Sequence, residues 1–353
     1  MGSKKSITVG GVVVGGGAPV KVQSMTNTNT SDVRETVNQI NRIEEHGGDI
    51  VRVAVPDMAS ADAIGEIKKL ISIPLVADIH FDHKLAIRAA EAGADKIRIN
   101  PGNIGGEDNV RAVADICTKK KIPIRIGVNG GSISYDILKK HHRITPEAMF
   151  DSAMEHVRLL NRFDFDDVCI SVKASSIPLT LVSCRLVYER TDYPLHLGVT
   201  EAGTEYMGII KSSIGIGSLL SEGIGDTIRV SLTAPPKREV EAAIAILRSL
   251  GLRHGYELIS CPTCGRCGID VISIAKEVEK RLSALRIDRN ISVAVMGCTV
   301  NGPGEASRAD YGITGGDGEG LLFMKGQIIK KIPMENLVDE LITALESEEK
   351  GLG

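Results

Sequence analysis

The sequence predicts an α/β protein, an N-terminal (β/α)8 barrel followed by a smaller C-terminal α+β domain, and three observations carry that expectation. Short β-rich runs alternate with amphipathic helical stretches through the first part of the chain, over about 250 residues, the span of a TIM barrel. Glycines stand where helices should end, as at Gly47 and Gly93. Near 254–257 the alternation stops and a cysteine cluster follows. The expected division is therefore a barrel at 1–254 and a second domain at 255–353.

The barrel strands are read in order as VKVQSMT (20–26), DIVRVAV (49–55), IPLVADIH (73–80), KIRINPG (96–102), PIRIGVN (123–129), DVCISVKAS (167–175), PLHLGVTEA (194–202) and TIRVSLT (227–233). Helical patterns at 32–46, 60–70 and 83–92 separate the early runs, and 237–251 supplies the eighth helix. A doubly wound open sheet is the competing architecture; the number and spacing of the units favour closure. Residues 6–17, rich in Gly and Val, read as a hairpin at the bottom of the barrel. The second domain opens on the cysteines and ends on a helix over 334–347.

Composition narrows the function. Hydrophobic residues make up 42% and charged residues 25%, enough apolar content for a buried core. A formal charge of −3 with 3% aromatics and no Trp argues against nucleic acid as the partner. No run of 18 apolar residues crosses a membrane. The first residues lack the apolar core of a signal peptide, although Met1–Ser6 fits the loose myristoylation pattern. Seven cysteines, an odd number, point to a reducing, cytoplasmic setting in which clustered thiols bind metal.

Catalytic groups of this fold gather at the C-terminal ends of the strands. Those ends carry Arg52, Asp78 and His80, Arg98 and Asn100, Arg125 and Asn129, Lys173, Glu201 and Ser231. Arg98 and Asn100 share a strand face, as do Arg125 and Asn129. Four cations from four strands exceed the acids beside them. They call for a multiply charged anion, which guanidinium forks suit. A lone His80 or His196 is more often a hydrogen-bonded strand-end residue than a base. The Asn100–Gly106 run offers backbone amides to a phosphate.

The Cys261-Pro-Thr-Cys264-Gly-Arg-Cys267 run clusters thiols on a turn, and Cys298 sits in a second turn, MGCTVNGPGE. Spacing leaves two ligand sets open: all four cysteines, or a set without Cys267 that an oxygen ligand completes. It also leaves zinc and iron open. Cys117, Cys169 and Cys184 are scattered in the barrel and read as small buried hydrophobes. A redox-inert barrel enzyme with structural zinc and a zinc-ribbon interaction module remain as competing readings at this point. The polar strand ends speak against the second.

The motifs together resemble the bacterial 4-hydroxy-3-methylbut-2-enyl diphosphate synthase family of the methylerythritol phosphate route. The matching stretches are VQSMTNT (22–28), DIVRVAVP (49–56), PLVADIHFD (74–82), KIRINPGNIG (96–105), RIGVNGGS (125–132), SVKAS (171–175), GVTEAG (198–203), ISCPTCGR (259–266) and MGCTVNGPGEA (296–306). They cover nearly the whole chain in family order. The resemblance implies an oxidoreductase that opens and dehydrates methylerythritol cyclodiphosphate with two electrons, through an iron–sulfur domain whose [4Fe–4S] cluster binds the substrate directly. It implies that Arg52, Arg98, Arg125, Lys173 and Ser231 grip the diphosphate with Asn100 and Asn129 nearby. Glu201 is then the acid near the departing oxygen, with Asp78 and His80 ordering that region. The implied cluster ligands are Cys261, Cys264, Cys298 and Glu305, with Cys267 close by but not ligating. Flavodoxin or ferredoxin is the implied electron donor. A homodimer in which one cluster domain caps the partner's barrel is the implied assembly.

Overall fold

The computed structural model describes residues 2–100, 102–265, 267–285, 287–298, 308–316 and 318–351. It divides into two compact units, Met1–Leu250 and Gly251–Gly353.

The first unit begins with an antiparallel hairpin, β1 (Ser6–Val9) and β2 (Val12–Gly15). Gly10 and Gly11, at φ 53° and 89°, form the two-residue turn that needs positive φ. Ile7, Val9 and Val14 bury together with Ile50, Val76 and Cys169, residues at the N-terminal halves of barrel strands, so the hairpin seals that end with apolar side chains. The buried Asp226 carboxylate fastens the segment, accepting from Ser3 N at 3.0 Å and from Leu195 N at 2.7 Å.

The barrel strands are β3 (Lys21–Met25), β4 (Ile50–Ala54), β5 (Leu75–Asp78), β6 (Lys96–Ile99), β7 (Ile124–Asn129), β8 (Val168–Lys173), β9 (His196–Leu197) and β10 (Thr227–Ile228). They pair in parallel in the order β8-β7-β6-β5-β4-β3-β10-β9. A parallel bridge between Ile170 and Leu195 closes the ring, and Ile170 N donates to Pro194 O at 2.8 Å. Residues of β5 and β8 are buried throughout, because one face packs helices and the other fills the barrel. The sixth to eighth crossings leave β9 and β10 shorter than the runs read from sequence. Beyond them, Arg229 N still donates to Leu197 O at 3.0 Å, and Thr204 bridges to Thr233.

Between strands run α1 (Val33–Glu45), α2 (Met58–Leu70), α3 (His83–Ala92), α4 (Glu107–Lys120), α5 (Tyr135–His141), α6 (Pro146–Asn161), α7 (Ile177–Arg190), α8 (Glu205–Ser221) and α9 (Pro236–Ser249). Asp32, Asp57 and Asp82 cap the first three by accepting backbone N–H bonds at their N-termini. Gly93, at φ 107°, ends α3 in the left-handed conformation that a glycine adopts freely.

The second unit holds a five-stranded sheet: β11 (Gly255–Ser260), β12 (Asn290–Met296), β13 (Tyr311–Gly316), β14 (Glu319–Met324) and β15 (Gln327–Pro333), paired in that order. The first three are parallel to one another and the last two antiparallel. Helices α10 (Val271–Ala284) and α11 (Leu337–Gly351) bury Val278, Leu282, Leu341 and Leu345 against Val293, Tyr311 and Ile313. No described helix is long and apolar enough to cross a membrane.

If the hairpin holds the barrel end shut, Ile7→Ala should lower stability by about 2–5 kcal/mol, as for other buried aliphatic truncations. Thermal unfolding checks this; an unchanged midpoint would show that the hairpin merely lies on the surface.

Candidate active site

The barrel strands and the segments just after them carry the polar residues read from sequence. Parallel pairing places Arg98 opposite Arg125, Arg52 opposite Val76, and Asn129 opposite Lys173. Asp78 is the organising acid. Its Oδ1 accepts from Arg98 Nη1 at 3.0 Å, and its Oδ2 lies 3.6 Å from both Arg52 Nε and His80 Nε2. Burial alone would raise the Asp78 carboxyl. Arg52, His80, Arg98 and Arg125 overcome that and hold it well below the usual carboxylate range.

Among the described residues, Arg125 and Lys173 have no carboxylate in ion-pair contact. Arg125 is 2% exposed, and its Nε and Nη1 meet no hydrogen-bond acceptor among the described residues. Burial, with Arg98 beside it, lowers Arg125 to about 10. Lys173 is pushed far below its ordinary value by burial and then by Arg125, Arg52, Arg229 and Arg98. Arg52 is lowered too, by burial against the help of Asp78. Cations buried together in this way are stabilised by an anion placed among them.

Two glycines make room for this charge. A Cβ on Gly127 would stand 2.9 Å from Arg98 Nε, and one on Gly198 would stand 2.7 Å from Lys173 Nζ. Asn100 is buried, and its Oδ1 accepts from Gly102 N at 3.2 Å. Asn129 closes a small capping box with Ser132. His80 is exposed over 57% of its side chain and leans toward Asp78 from the rim. Glu201 is exposed at φ 53°, a left-handed conformation uncommon outside glycine. The Thr204–Thr233 bridge ties its loop to the segment that carries half-buried Ser231. His196 is an interior residue hydrogen-bonded to Thr227 at 2.8 Å, and burial drives its pKa far down.

Three participants escaped the sequence reading. Arg229 pairs with Glu239 through two contacts of 3.2 Å, and Glu239 also accepts from Ser24 Oγ and from Leu232 N, each at 3.1 Å. Lys96 is fully buried, with Nζ unpartnered among the described residues. The signal for Lys96 and Arg229 was parity: each lies two residues before a residue already singled out, Arg98 or Ser231.

The cysteines gather at the C-terminal ends of β11 and β12. Cys261 N donates to Val295 O at 3.2 Å, and Gly297 N donates to Cys261 Sγ at 3.2 Å. A Cβ on Gly297 would stand 2.3 Å from Cys267 Sγ and 3.5 Å from Cys261 Sγ, so the glycine keeps the space that these sulfurs use. Cys264 is exposed, and Cys298 O accepts from Thr314 Oγ1 at 3.1 Å. Glu305 lies outside the described residues. Among those residues no three ligating side chains converge. Thiols in a turn with a backbone N–H bonded to one sulfur are of a kind that suits metal ligation. The barrel thiols are of another kind: burial pushes Cys117 and Cys184 up to about 12.

Comparison with known proteins follows this geometry. Residues 4–244 match the GcpE TIM-barrel domain and residues 257–347 match the GcpE protein C-terminal domain. The chain belongs to the GcpE family. It is 57% identical to a protein of Clostridium perfringens over 344 residues, 97% of this chain and 98% of that one. It is 53% identical to one of Geobacter sulfurreducens over 343 residues, 97% of each. Both relatives carry the name 4-hydroxy-3-methylbut-2-en-1-yl diphosphate synthase (flavodoxin). Among solved structures, dihydropteroate synthase of Yersinia pestis aligns with TM-score 0.51 at 14% identity, over 70% of this chain and 98% of that one. That likeness is one of barrel fold alone, and it agrees with the GcpE barrel assignment.

Asp78→Asn should cost about 3–5 kcal/mol at neutral pH, because it leaves two guanidiniums buried without their acid. With a depressed pKa, Asp78 contributes stability above its unfolded value, about 3.9. That contribution is lost as pH falls from there toward the folded value. The stability gap between wild type and variant should therefore narrow below about pH 4, and a gap independent of pH would refute the ion-pair account.

Proposed function

We propose that the chain catalyses the reductive ring opening and dehydration of 2-C-methyl-D-erythritol 2,4-cyclodiphosphate to (E)-4-hydroxy-3-methylbut-2-enyl diphosphate, as an iron–sulfur oxidoreductase of isoprenoid biosynthesis. The observation that supports it most is the excess of buried cation in the barrel: Arg125 and Lys173 are buried, and among the described residues no carboxylate forms an ion pair with either. Residues 1–254 are the substrate domain in this reading, and residues 255–353 the cluster domain.

Arg52, Arg98, Arg125, Lys173 and Ser231 hold the diphosphate, and Asn100 and Asn129 lie beside it. Breaking the ring's carbon–oxygen bond leaves an additional negative charge on the released phosphate oxygen. Cations already fixed in a dry site meet that charge without reorganising, so they favour the transition state over the closed ring. Asp78 fixes the forks of Arg98 and Arg52 and, with His80, orders the rim. Glu201 donates the proton with which the departing hydroxyl leaves as water. Cys261, Cys264, Cys298 and Glu305 hold a [4Fe–4S] cluster, with Cys267 beside it as a non-ligand. When bound, that cluster would relay, one at a time, the two electrons that the reaction consumes from the external donor.

Flavodoxin, named for the relatives, or ferredoxin delivers electrons one at a time. The active assembly is a homodimer in which one subunit's cluster domain caps the partner's barrel and excludes water. The location is the cytoplasm, where thiols remain reduced.

Anaerobic purification followed by iron, sulfide and zinc analysis tests the reading. About four irons and four sulfides per chain are expected, with turnover of the cyclodiphosphate on adding a reduced one-electron donor. About one zinc and no sulfide would overturn it. Glu305→Ala should lose the cluster spectrum while Cys267→Ser keeps it; the reverse would exchange their roles.

Glu201→Gln should bind the cyclodiphosphate normally yet turn over about 10²–10⁴-fold more slowly, the range of a lost general acid. Unchanged turnover would remove Glu201 from proton donation.

A further inference from the structure

We propose that Lys96 is a positioning residue for the anion site, a buried charge beneath the arginine layer that keeps Arg125 directed toward the mouth. The inference rests on the diphosphate reading above. Lys96 and Arg98 are two residues apart on β6 and so share its inward face, with the Lys96 Cα about 6–7 Å further from the mouth along the strand. Lys96 is fully buried, and Nζ meets no hydrogen-bond partner among the described residues. Lysine is almost never buried in this way unless a counter-charge is near.

The groups that face it explain why none is. Arg52 comes from β4 and Arg125 from β7, both cations that act on Lys96. Cys169, on β8, acts on it in the opposite sense, and that thiol is itself raised by burial. Lys173, also on β8, and Lys96 both depress His196 on β9. Asp78 on β5 is engaged by Arg98 and Arg52, and Arg229, following β10, by Glu239. From β3 comes the buried, uncharged Gln23.

A charge placed there has one effect on Arg125, which is repulsion. It disfavours any turn of the guanidinium down into the barrel, where Nε and Nη1 are buried and meet no acceptor among the described residues. Burial, with Arg125 and Arg52 nearby, lowers Lys96 to about 8. An anion seated above reverses the local field and favours the protonated amine. Binding of the diphosphate is thereby linked to proton uptake between that value and a higher bound one.

The stability sign is opposite to that of an ordinary structural residue. A lysine whose folded pKa lies below its unfolded value of about 10.4 destabilises the protein in full below the folded pKa. The penalty fades as pH rises toward the unfolded one.

The test uses the anaerobically purified full chain with its cluster and no electron donor, so that binding is read without turnover. Calorimetric titration with methylerythritol cyclodiphosphate at pH 7 and 8.5, in two buffers of different ionisation enthalpy, gives affinity and proton uptake. Lys96→Met should bind about 5–30-fold more weakly at pH 7 and take up fewer protons than wild type at pH 8.5, and it should melt higher at pH 7 by more than at pH 9.5. Lys96→Gln, which keeps a polar tip, should lose affinity to a similar extent and guards against a folding failure of the first variant. Lower melting with unchanged affinity in either variant would make Lys96 structural and overturn the proposal. Failure of the wild type to bind the cyclodiphosphate would instead defeat the diphosphate reading itself.

Discussion

Asp78 lies between Arg98 at 3.0 Å and Arg52 at 3.6 Å, and much of the barrel depends on that one carboxylate being shared. A second acid at the same level would neutralise the layer and leave no field for a ligand. No acid at all would leave the forks of Arg52 and Arg98 unfixed and their burial uncompensated. With one shared acid, two guanidiniums are anchored while Arg125 and Lys173 have no ion-pair partner among the described residues. The glycines at 127 and 198 belong to the same arrangement, because any side chain there would displace Arg98 or Lys173 from the interior. The apolar hairpin at the opposite end keeps the lower barrel closed, and that closure lets a few charges act strongly.

The barrel was legible because its signal is periodic: apolar runs at regular spacing, separated by capped helices, fix strand number and direction with little dependence on tertiary detail. The polar strand ends were legible for a related reason, since a charge in an apolar run stands out. Lys96 did not stand out, because a lysine at the first position of a strand resembles a solvated strand end; only its parity with Arg98 marks it as inward. Glu239 was hidden for a different reason. It sits in the first turn of α9, where an acid is ordinary, and its bond to Ser24 spans 215 residues. Neither composition nor period carries information at that separation.

At the cysteine end, spacing identified thiols but not their partition. In the structure Cys261 and Cys267 both pack against Gly297, whereas Cys264 is exposed. Sequence adjacency within CPTCGRC therefore says little about which sulfurs lie close, because the turn reverses the chain between them: Cys267 N returns to Cys264 O at 3.0 Å, and Gly268 N bonds to Gly297 O at 2.8 Å. These contacts come from β12 and the residues just after it, some thirty positions downstream, where spacing within the cysteine run carries no information.

The choice between arginine and lysine in the barrel has a consequence for how the site responds to pH. Burial among like charges lowers Arg125, yet only to about 10, so it stays charged throughout the physiological range. The same surroundings push Lys173 and Lys96 much closer to neutrality. Guanidinium is therefore the less titratable part of the field and the amines the more titratable part, because burial opposes the charge of both but starts from a lower ordinary value in lysine. Under the proposal above, an anion bound beside the amines favours their protonated forms.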